Sequence, residues 1–398
     1  MPSVPPEQQW SILSRHAQVV PAEELREALG SGRSLRVKFG VDPTAPHVHL
    51  GWAVPLRKLR AFQDLGHTAV LIVGDFTARI GDPSGQNKTR PMLTADEVRA
   101  FADNLLEQVR LILDTERLEV RYNSSWIEPL GVEGLLRLAS QHTVARMLER
   151  DDFANRYAAG NPITVTEFLY PLLQGYDSVA VEADVEIGGN DQLFNLHVGR
   201  HLQIAHGQRP QALLTVPLLE GTDGVEKMSQ SKGNYIGVTE SPDEIFGKLM
   251  RIPDHLMDRY LRLCTDLPDD EVDVLLAGTA PAEAKRRLAQ EVVALYHGAE
   301  AAGTARRRFD DVFVRHSVPD DVPSAAVPAG CLGEDGRVHL PKLLKEVGLA
   351  PSTTEARRLI SQGGVKADGE PLDDEAVDPD ALRGRVLQVG RRRFVRIT

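Results

Sequence analysis

The sequence predicts an α/β domain built on a doubly wound parallel sheet, followed by an α-helical region and a small basic α+β domain. Three observations lead there. Strand-like and helix-like segments alternate from Val37 to Val198, the order that gives parallel strands joined by crossover helices. Helical periodicity then runs from Pro242 to His316 with no strand pattern interrupting it. Arginine and lysine gather after Lys342, in a chain whose net charge is −11.

From Glu7 to Leu29, Trp10, Leu13, Val20 and Leu25 recur at helical spacing, so a pair of short helices is expected before the first strand. The stretch Lys38 to Trp52, KFGVDPTAPHVHLGW, reads as a strand, a tight turn and a helix start. Val37, Phe39 and Val41 alternate, Asp42-Pro43-Thr44-Ala45-Pro46 ends the strand, and His49-Leu50-Gly51 opens a helix through Leu56, Leu59 and Phe62. A helix N-terminus carries free N–H groups and a partial positive charge, so a turn holding Thr44, two histidines and a glycine suits a polyphosphate. An ordinary turn with surface histidines is the alternative unless something further along answers it.

Ala69 to Asp75 is a short continuous apolar run, as in a strand buried on both faces. A helix from Ala95 to Leu113 and a strand from Leu118 to Tyr122 continue the alternation. Between them, Gly81 to Arg90 (GDPSGQNKTR) is dense in turn formers after a buried strand, which fits a surface turn and a ligand loop equally well. Leu130 to Tyr176 reads as helical, broken at Gly160-Asn161-Pro162. Asp184 to Gln192 reads as a strand ending in a glycine turn, with a helix following through Leu193, Leu196 and Val198. Val225 to Asn234, VEKMSQSKGN, is a small lysine-bearing loop of a kind that can fold over a triphosphate. Residues 317–336 are rich in Pro, Gly, Ala, Asp and Ser without periodicity and read as a linker, with mobility expected of the region beyond it.

The 42% hydrophobic content over 398 residues supports a core spread over two or three domains. Net negative charge argues against non-specific coating of nucleic acid but permits a local basic surface, here near the C-terminal end, with the acidic residues mostly upstream. Cys264 and Cys331 are too few and too scattered for a zinc site or a disulfide framework. No apolar stretch approaches the roughly 18 to 20 residues of a membrane helix and no leader pattern is present. The expectation is a cytoplasmic protein without membrane contact.

Taken together, three stretches resemble the signatures of the class I aminoacyl-tRNA synthetases. His49-Leu50-Gly51-Trp52 stands for His-Ile-Gly-His, Lys227 to Ser231 stands for Lys-Met-Ser-Lys-Ser, and Thr166 to Gln192 supplies a polar pocket wall. Within that class the chain is similar to the tyrosyl family, in the bacterial branch with a Lys-Phe-Gly-x-Asp-Pro-Thr opening. The run LPKLLKEVGLAPSTTEARRLISQGGVKADG resembles the S-four-type RNA-binding module: a short helix, a turn at Pro351 to Thr354, then a helix carrying Arg357 and Arg358.

The resemblance implies a Rossmann-like catalytic domain over 1–237 with a dimer-interface insertion near 130–176. A helical domain for the anticodon stem follows over 238–316, then the linker and an S-four-type domain over 337–398. It implies an ATP-dependent ligase that makes tyrosyl-adenylate and passes the tyrosyl group to tRNA(Tyr), working as a homodimer, with Met147, Leu148 and Phe153 either at the interface or, equally well for any one of them, in the chain's own core. Magnesium would arrive with ATP, held by phosphates, with no protein metal site. Thr44, His49, Arg90, Lys227, Gln230 and Lys232 are the expected catalytic positions. Gly40, Asp42, Thr44, His49, Gly51, Trp52, Gly189, Asp191, Met228, Ser229 and Gln230 are expected around ATP. Lys38, Asp82, Tyr170, Gln174, Asp177 and Gln192 are expected around tyrosine. Arg357, Arg358 and Lys366 are expected to meet RNA phosphates. Steps of four and three place Tyr170, Gln174 and Asp177 on one helix face.

Three positions depart from the usual tyrosyl pattern. Trp52 replaces the second signature histidine. Gln230 replaces the second loop lysine, with Lys232 as the expected compensation. Lys38 stands where many tyrosyl enzymes have a tyrosine, with Asp177 as its expected partner. These departures keep open a second reading, a catalytically weakened synthetase-derived RNA-binding protein. A tryptophanyl-type relative is disfavoured by Asp177 and by the Ile187 to Gln192 turn.

Overall fold

Six strands, Gln18–Val20 (β1), Arg36–Val41 (β2), Thr68–Val73 (β3), Leu118–Tyr122 (β4), Val185–Gly189 (β5) and Ala212–Val216 (β6), form one sheet in the order β1-β6-β5-β2-β3-β4. This computed structural model describes residues 4–82, 93–313, 322–333, 335–390 and 393–398. β1 pairs antiparallel with β6, and the other five strands run parallel. From β2 the chain winds outward through β3 and β4 on one side, and returns through β5 and β6 on the other. The carboxyl ends of β2 and β5 therefore flank the switch point where such sheets bind ligands. In register across that point, Lys38 lies opposite Glu186.

The helix Leu50–Asp64 follows β2 and buries Leu50, Leu56, Leu59 and Phe62 completely. Each such side chain contributes about 1.5–3 kcal/mol by leaving water, and Leu56→Ala would cost about 2–5 kcal/mol. The short strand β1 was not foreseen: it separates the helices Pro6–Ser14 and Ala22–Gly30, and three residues are too few to show an alternation.

The helices Pro242–Leu249, Met257–Cys264, Asp269–Gly278 and Pro281–His297 were expected as a domain of their own. They instead share one compact unit, residues 1–298, with the sheet. Arg57 donates to the Thr265 carbonyl at 2.8 Å, and Arg15 pairs with Asp269 at 2.8 Å, so both ties cross from the signature half to the helices. Two of the residues left open between a dimer interface and the core lie inside the chain's own core. Met147 and Phe153 are buried, and Phe153 meets Phe168 edge-on at 4.9 Å.

The second unit, residues 299–398, opens with the helix Ala299–Phe313. Its five-stranded sheet runs in the order Glu370–Pro371, Val365–Ala367, Val386–Val389, Arg393–Ile397, Ser324–Ala325. The helices Leu340–Glu346 and Thr353–Ser361 contribute to a core of Leu340, Leu343, Leu344, Ala356 and Ile360 with Leu387, Val389 and Ile397. Part of the stretch read as a linker belongs to this unit. Ser324–Ala325 pairs parallel with the last strand, and Cys331 is buried in the core. Among the described residues no helix is long and apolar enough to cross a membrane.

Candidate active site

The turn after β2 and the loop 225–234 are stitched together. The Gly51 N–H donates to the Met228 sulfur at 3.3 Å, and Leu50 N–H donates to the Ile236 carbonyl at 2.9 Å. A side chain at residue 51 would bring its Cβ within 3.1 Å of two atoms of the His49 ring, so the ring would have to shift by a few tenths of an ångström to admit one. Gln230, on the same loop, bonds the backbone of His47 through both ends of its amide. Behind the turn, Gln108 accepts from the Val48 N–H at 2.7 Å and donates to the Pro46 carbonyl at 2.6 Å.

His49 sits on the inner side of this seam. It is buried, and its Nδ1 has no hydrogen-bond partner among the described residues. Burial, and then the nearby Lys227 cation, push its imidazole down to about 4, so it is neutral at physiological pH. Trp52 lies 5.5 Å from it, ring centre to ring centre, and Tyr235 lies 6.2 Å away. Lys227 pairs with Asp191 at 2.5 Å beside the end of β5. Lys232, expected to compensate for the missing loop lysine, instead pairs with Glu226 at 2.5 Å on the exposed side of the loop. Gly40 is the one exposed residue of β2, with open space where a side chain would stand. Thr44 donates its N–H to the Asp42 carbonyl at 2.9 Å, and Ser229 accepts a bond from or gives one to Ser231 at 2.9 Å.

Across the switch point, the helix Val165–Ala180 presents Tyr170, Gln174 and Asp177 on one face. Asp177 is buried, accepting from Trp126 Nε1 at 2.8 Å and from Asn123 Nδ2 at 3.4 Å. Burial pushes its carboxyl up to about 7, against the pull of Lys38, Trp126 and Asn123. The Tyr170 hydroxyl donates to Asp42 Oδ2 at 2.8 Å, and Thr77 Oγ1 donates to Asp42 Oδ1 at 2.7 Å. Asp42 is likewise raised to about 7 by burial. Asn123 also donates to Thr77 at 3.0 Å, so one buried amide links the carboxylates at the two ends of the pocket. A Cβ at Gly74 would stand 2.1 Å from Asp42 Oδ1, which leaves glycine as the residue that admits this arrangement.

Lys38 does not pair with Asp177. Its fully buried ammonium donates to the Gln174 carbonyl at 2.9 Å and Ser178 Oγ at 2.8 Å, and pairs with Glu186 at 2.9 Å. The sheet register decides this partner, because Glu186 faces Lys38 on the neighbouring strand. Gln174 and Gln192 converge on Asn195, and Gln192 Nε2 donates to Asp82 Oδ2 at 2.9 Å.

The structure thus brings Lys38, Asp42, Asp82, Tyr170, Gln174, Asp177 and Gln192 into one connected set, with His49, Gly51 and Met228 joined in the seam. Arg90 lies outside the described residues. Asn123, Trp126, Thr77, Asn195, Arg150 and Glu186 were missed. Glu186 was detectable from the strand pairing once Lys38 was placed in β2. Thr77, Asn123 and Trp126 carry no local signal, since their partners in the site are remote in sequence, whereas Asn195 lies three residues from Gln192 and Arg150 two from Asp152. In the second unit Lys366 is exposed, Arg357 pairs with Glu375 at 3.0 Å, and Arg358 pairs with Glu355 at 2.6 Å. Acidic residues are therefore not confined upstream: Asp373 to Asp380 form an acidic run within this unit.

Residues 31–314 match the family model for class I tRNA synthetases (W and Y), and residues 339–378 match that of the S4 domain. The chain is 50% identical to a tyrosine--tRNA ligase of Moorella thermoacetica, covering 98% of this chain and 95% of that one. It is 49% identical to a tyrosine--tRNA ligase of Thermotoga maritima, covering 99% and 98%. Among solved structures, a C-terminally truncated mitochondrial tyrosyl-tRNA synthetase of Coccidioides posadasii is similar with a TM-score of 0.61 and 25% identity, over 75% of this chain and 91% of that one. A tyrosyl-tRNA synthetase of Archaeoglobus fulgidus, solved with L-tyrosine, shares the fold with a TM-score of 0.62 and 23% identity, over 76% and 99%. The chain belongs to the class I tRNA synthetases, on their tyrosine-ligase branch, and carries an S4 domain near its C-terminal end.

Proposed function

We propose that the chain joins tyrosine to ATP as tyrosyl-adenylate and passes the tyrosyl group to the 3′-terminal adenosine of tRNA(Tyr). The carboxylate of tyrosine attacks the α-phosphorus and pyrophosphate leaves, then a terminal ribose hydroxyl of the tRNA takes the acyl group. Neither step needs a covalent enzyme intermediate. Positioning and neutralisation of charge on the leaving group supply the rate. Lys227, with Thr44 and the neutral His49, faces the phosphates in this reading. Magnesium arrives on the nucleotide, as part of the substrate.

The observation that carries the reading is the buried Asp177 carboxylate at one end of a helix face that also presents Gln174 and Tyr170. An acceptor so placed suits a phenolic hydroxyl, and phenylalanine would forgo that hydrogen bond, leaving Asp177 only its bonds from Trp126 and Asn123. Asp82, Gln174 and Gln192 then receive the ammonium group. Pyrophosphate exchange tests this directly. It should require both ATP and tyrosine, and exchange driven by another amino acid, or none, would refute it.

A homodimer is supported by the apolar surface of the insertion, where Val132, Leu136, Val144, Tyr157 and Val165 are each more than 60% exposed. Exposed apolar side chains concentrated in one segment are of the kind that association covers. In this reading Arg357, Arg358 and Lys366 meet RNA phosphates, the backbone contacts that give salt-dependent affinity.

A further inference from the structure

An unsubstituted amide has two ends of almost the same size, one accepting and one donating. Shape alone does not decide which end of Gln174 or Gln192 faces a ligand. In a site for a cationic amine that choice matters, because an oxygen attracts an ammonium group and an NH2 repels it.

The structure contains a device that makes the choice. Arg150 is buried, pairs with Asp152 at 2.7 Å and stacks 5.1 Å from the Phe153 ring centre. A guanidinium has donors and no acceptor. Arg150 Nη1 donates to Asn195 Oδ1 at 3.2 Å, so the oxygen of Asn195 must point at Arg150 and its nitrogen must point away. That nitrogen donates to Gln174 Oε1 at 2.9 Å and to Gln192 Oε1 at 3.1 Å. With their oxygens gathered on one atom, the glutamines turn their nitrogens outward, toward Glu186 Oε1 at 3.4 Å and Asp82 Oδ2 at 2.9 Å. Both outer partners are carboxylates, which only accept when ionised. The network is therefore polarised from a pure donor to acceptors, and it closes on itself, because Arg150 Nη2 also lies 3.8 Å from Asp82 Oδ1; reversing any one amide would create a repulsive contact on both of its sides. Asn195 is 1% exposed, so it is shielded from bulk water.

We propose that Arg150 and Asn195 are positioning residues that set the polarity of the amine site, holding the Gln174 and Gln192 oxygens side by side for a cationic amine. The inference rests on the reading above, in which Asp82, Gln174 and Gln192 receive the ammonium group of tyrosine. Neither positioning residue needs to touch the substrate. A carbonyl oxygen accepts two hydrogen bonds, so Gln174 Oε1 can serve Asn195 and an ammonium N–H together.

Calorimetric binding of two ligands to the full chain separates this role from a general structural one. The first is tyrosine, and the second is 3-(4-hydroxyphenyl)propionate, which is tyrosine without its amine. Asn195→Leu should weaken tyrosine by about 10- to 100-fold, the equivalent of one hydrogen bond to a charged group, while the propionate shifts less than about twofold. Arg150→Met, which leaves Asn195 in place but frees it to turn over, should give the same pattern if Asn195→Leu does not fold. Arg150→Lys, whose head is again donor-only, should keep the native ratio of the two affinities. Equal weakening of both ligands, or no weakening of either, would overturn the proposal. A native protein that binds the propionate as well as tyrosine would overturn the amine site itself.

Discussion

The side chain of Gln230 grips the backbone of His47 by both of its polar ends, Nε2 donating to the carbonyl at 2.6 Å and Oε1 accepting from the N–H at 3.1 Å. A lysine at this position would carry a charge but no acceptor. The loop therefore has a two-point clasp where the usual signature has a cation. Gln230→Met keeps the shape and removes both bonds. It should lower the rate of adenylate formation by about 1–3 kcal/mol of barrier, or roughly 5- to 150-fold, the value of two neutral hydrogen bonds. Tyrosine affinity should stay unchanged, and stopped-flow adenylate formation measures both. A rate equal to the native one would remove the clasp from the reaction.

Asp177→Ala should narrow the preference for tyrosine over phenylalanine by about 1.5–3 kcal/mol, as loss of a hydrogen bond to a charged group does. The comparison is the ratio of kcat/KM for the two amino acids in pyrophosphate exchange. Preservation of that ratio would take Asp177 out of hydroxyl recognition.

The same residue gives stability a pH dependence of definite sign. Its folded pKa of about 7 lies above an unfolded value near 3.9. Below the lower value both states are protonated and nothing is lost. Between the two the unfolded chain ionises first, so stability falls as pH rises, by at most about 1.4 kcal/mol per unit, and levels off above the folded pKa. Asp177→Asn should remove that fall, and its melting temperature relative to the native chain should increase from pH 4 to pH 7. A difference that is constant with pH would contradict the raised pKa.

Lys38→Met and Glu186→Leu should each destabilise by about 3–5 kcal/mol, because each leaves a buried charge without its partner. The double substitution should recover most of the loss, as apolar replacements of buried pairs often do. Urea unfolding midpoints of the four proteins form the test, and additive losses would show that the two side chains do not act as a pair.

How much of this was legible beforehand depends on the range of each interaction. The strand, turn and helix around His49 are encoded within a dozen residues, and so is the helix face of Tyr170, Gln174 and Asp177, so periodicity reached them. Glu186 became a partner of Lys38 only through β2 pairing with β5, a contact 148 residues apart in the chain. Asn195 and Arg150 act through amide orientation, which leaves no mark on composition or spacing. Asp177 is not the partner of Lys38, because strand register, which no local pattern carries, puts Glu186 opposite it. The boundary expected near 237 failed to separate the helices because Arg57 and Arg15 bind them back to the first half.

The pairing of Arg357 with Glu375 bears on how the C-terminal unit meets a polyanion. A phosphate that reaches this guanidinium displaces a carboxylate of the protein itself, so one anion is exchanged for another. Such a contact liberates fewer counterions than the arginine count suggests, and affinity declines less steeply with added salt. Glu375→Gln removes the resident anion. The slope of log affinity against log salt should then steepen by about one, and the arginine becomes a contact that nucleic acid gains without competition.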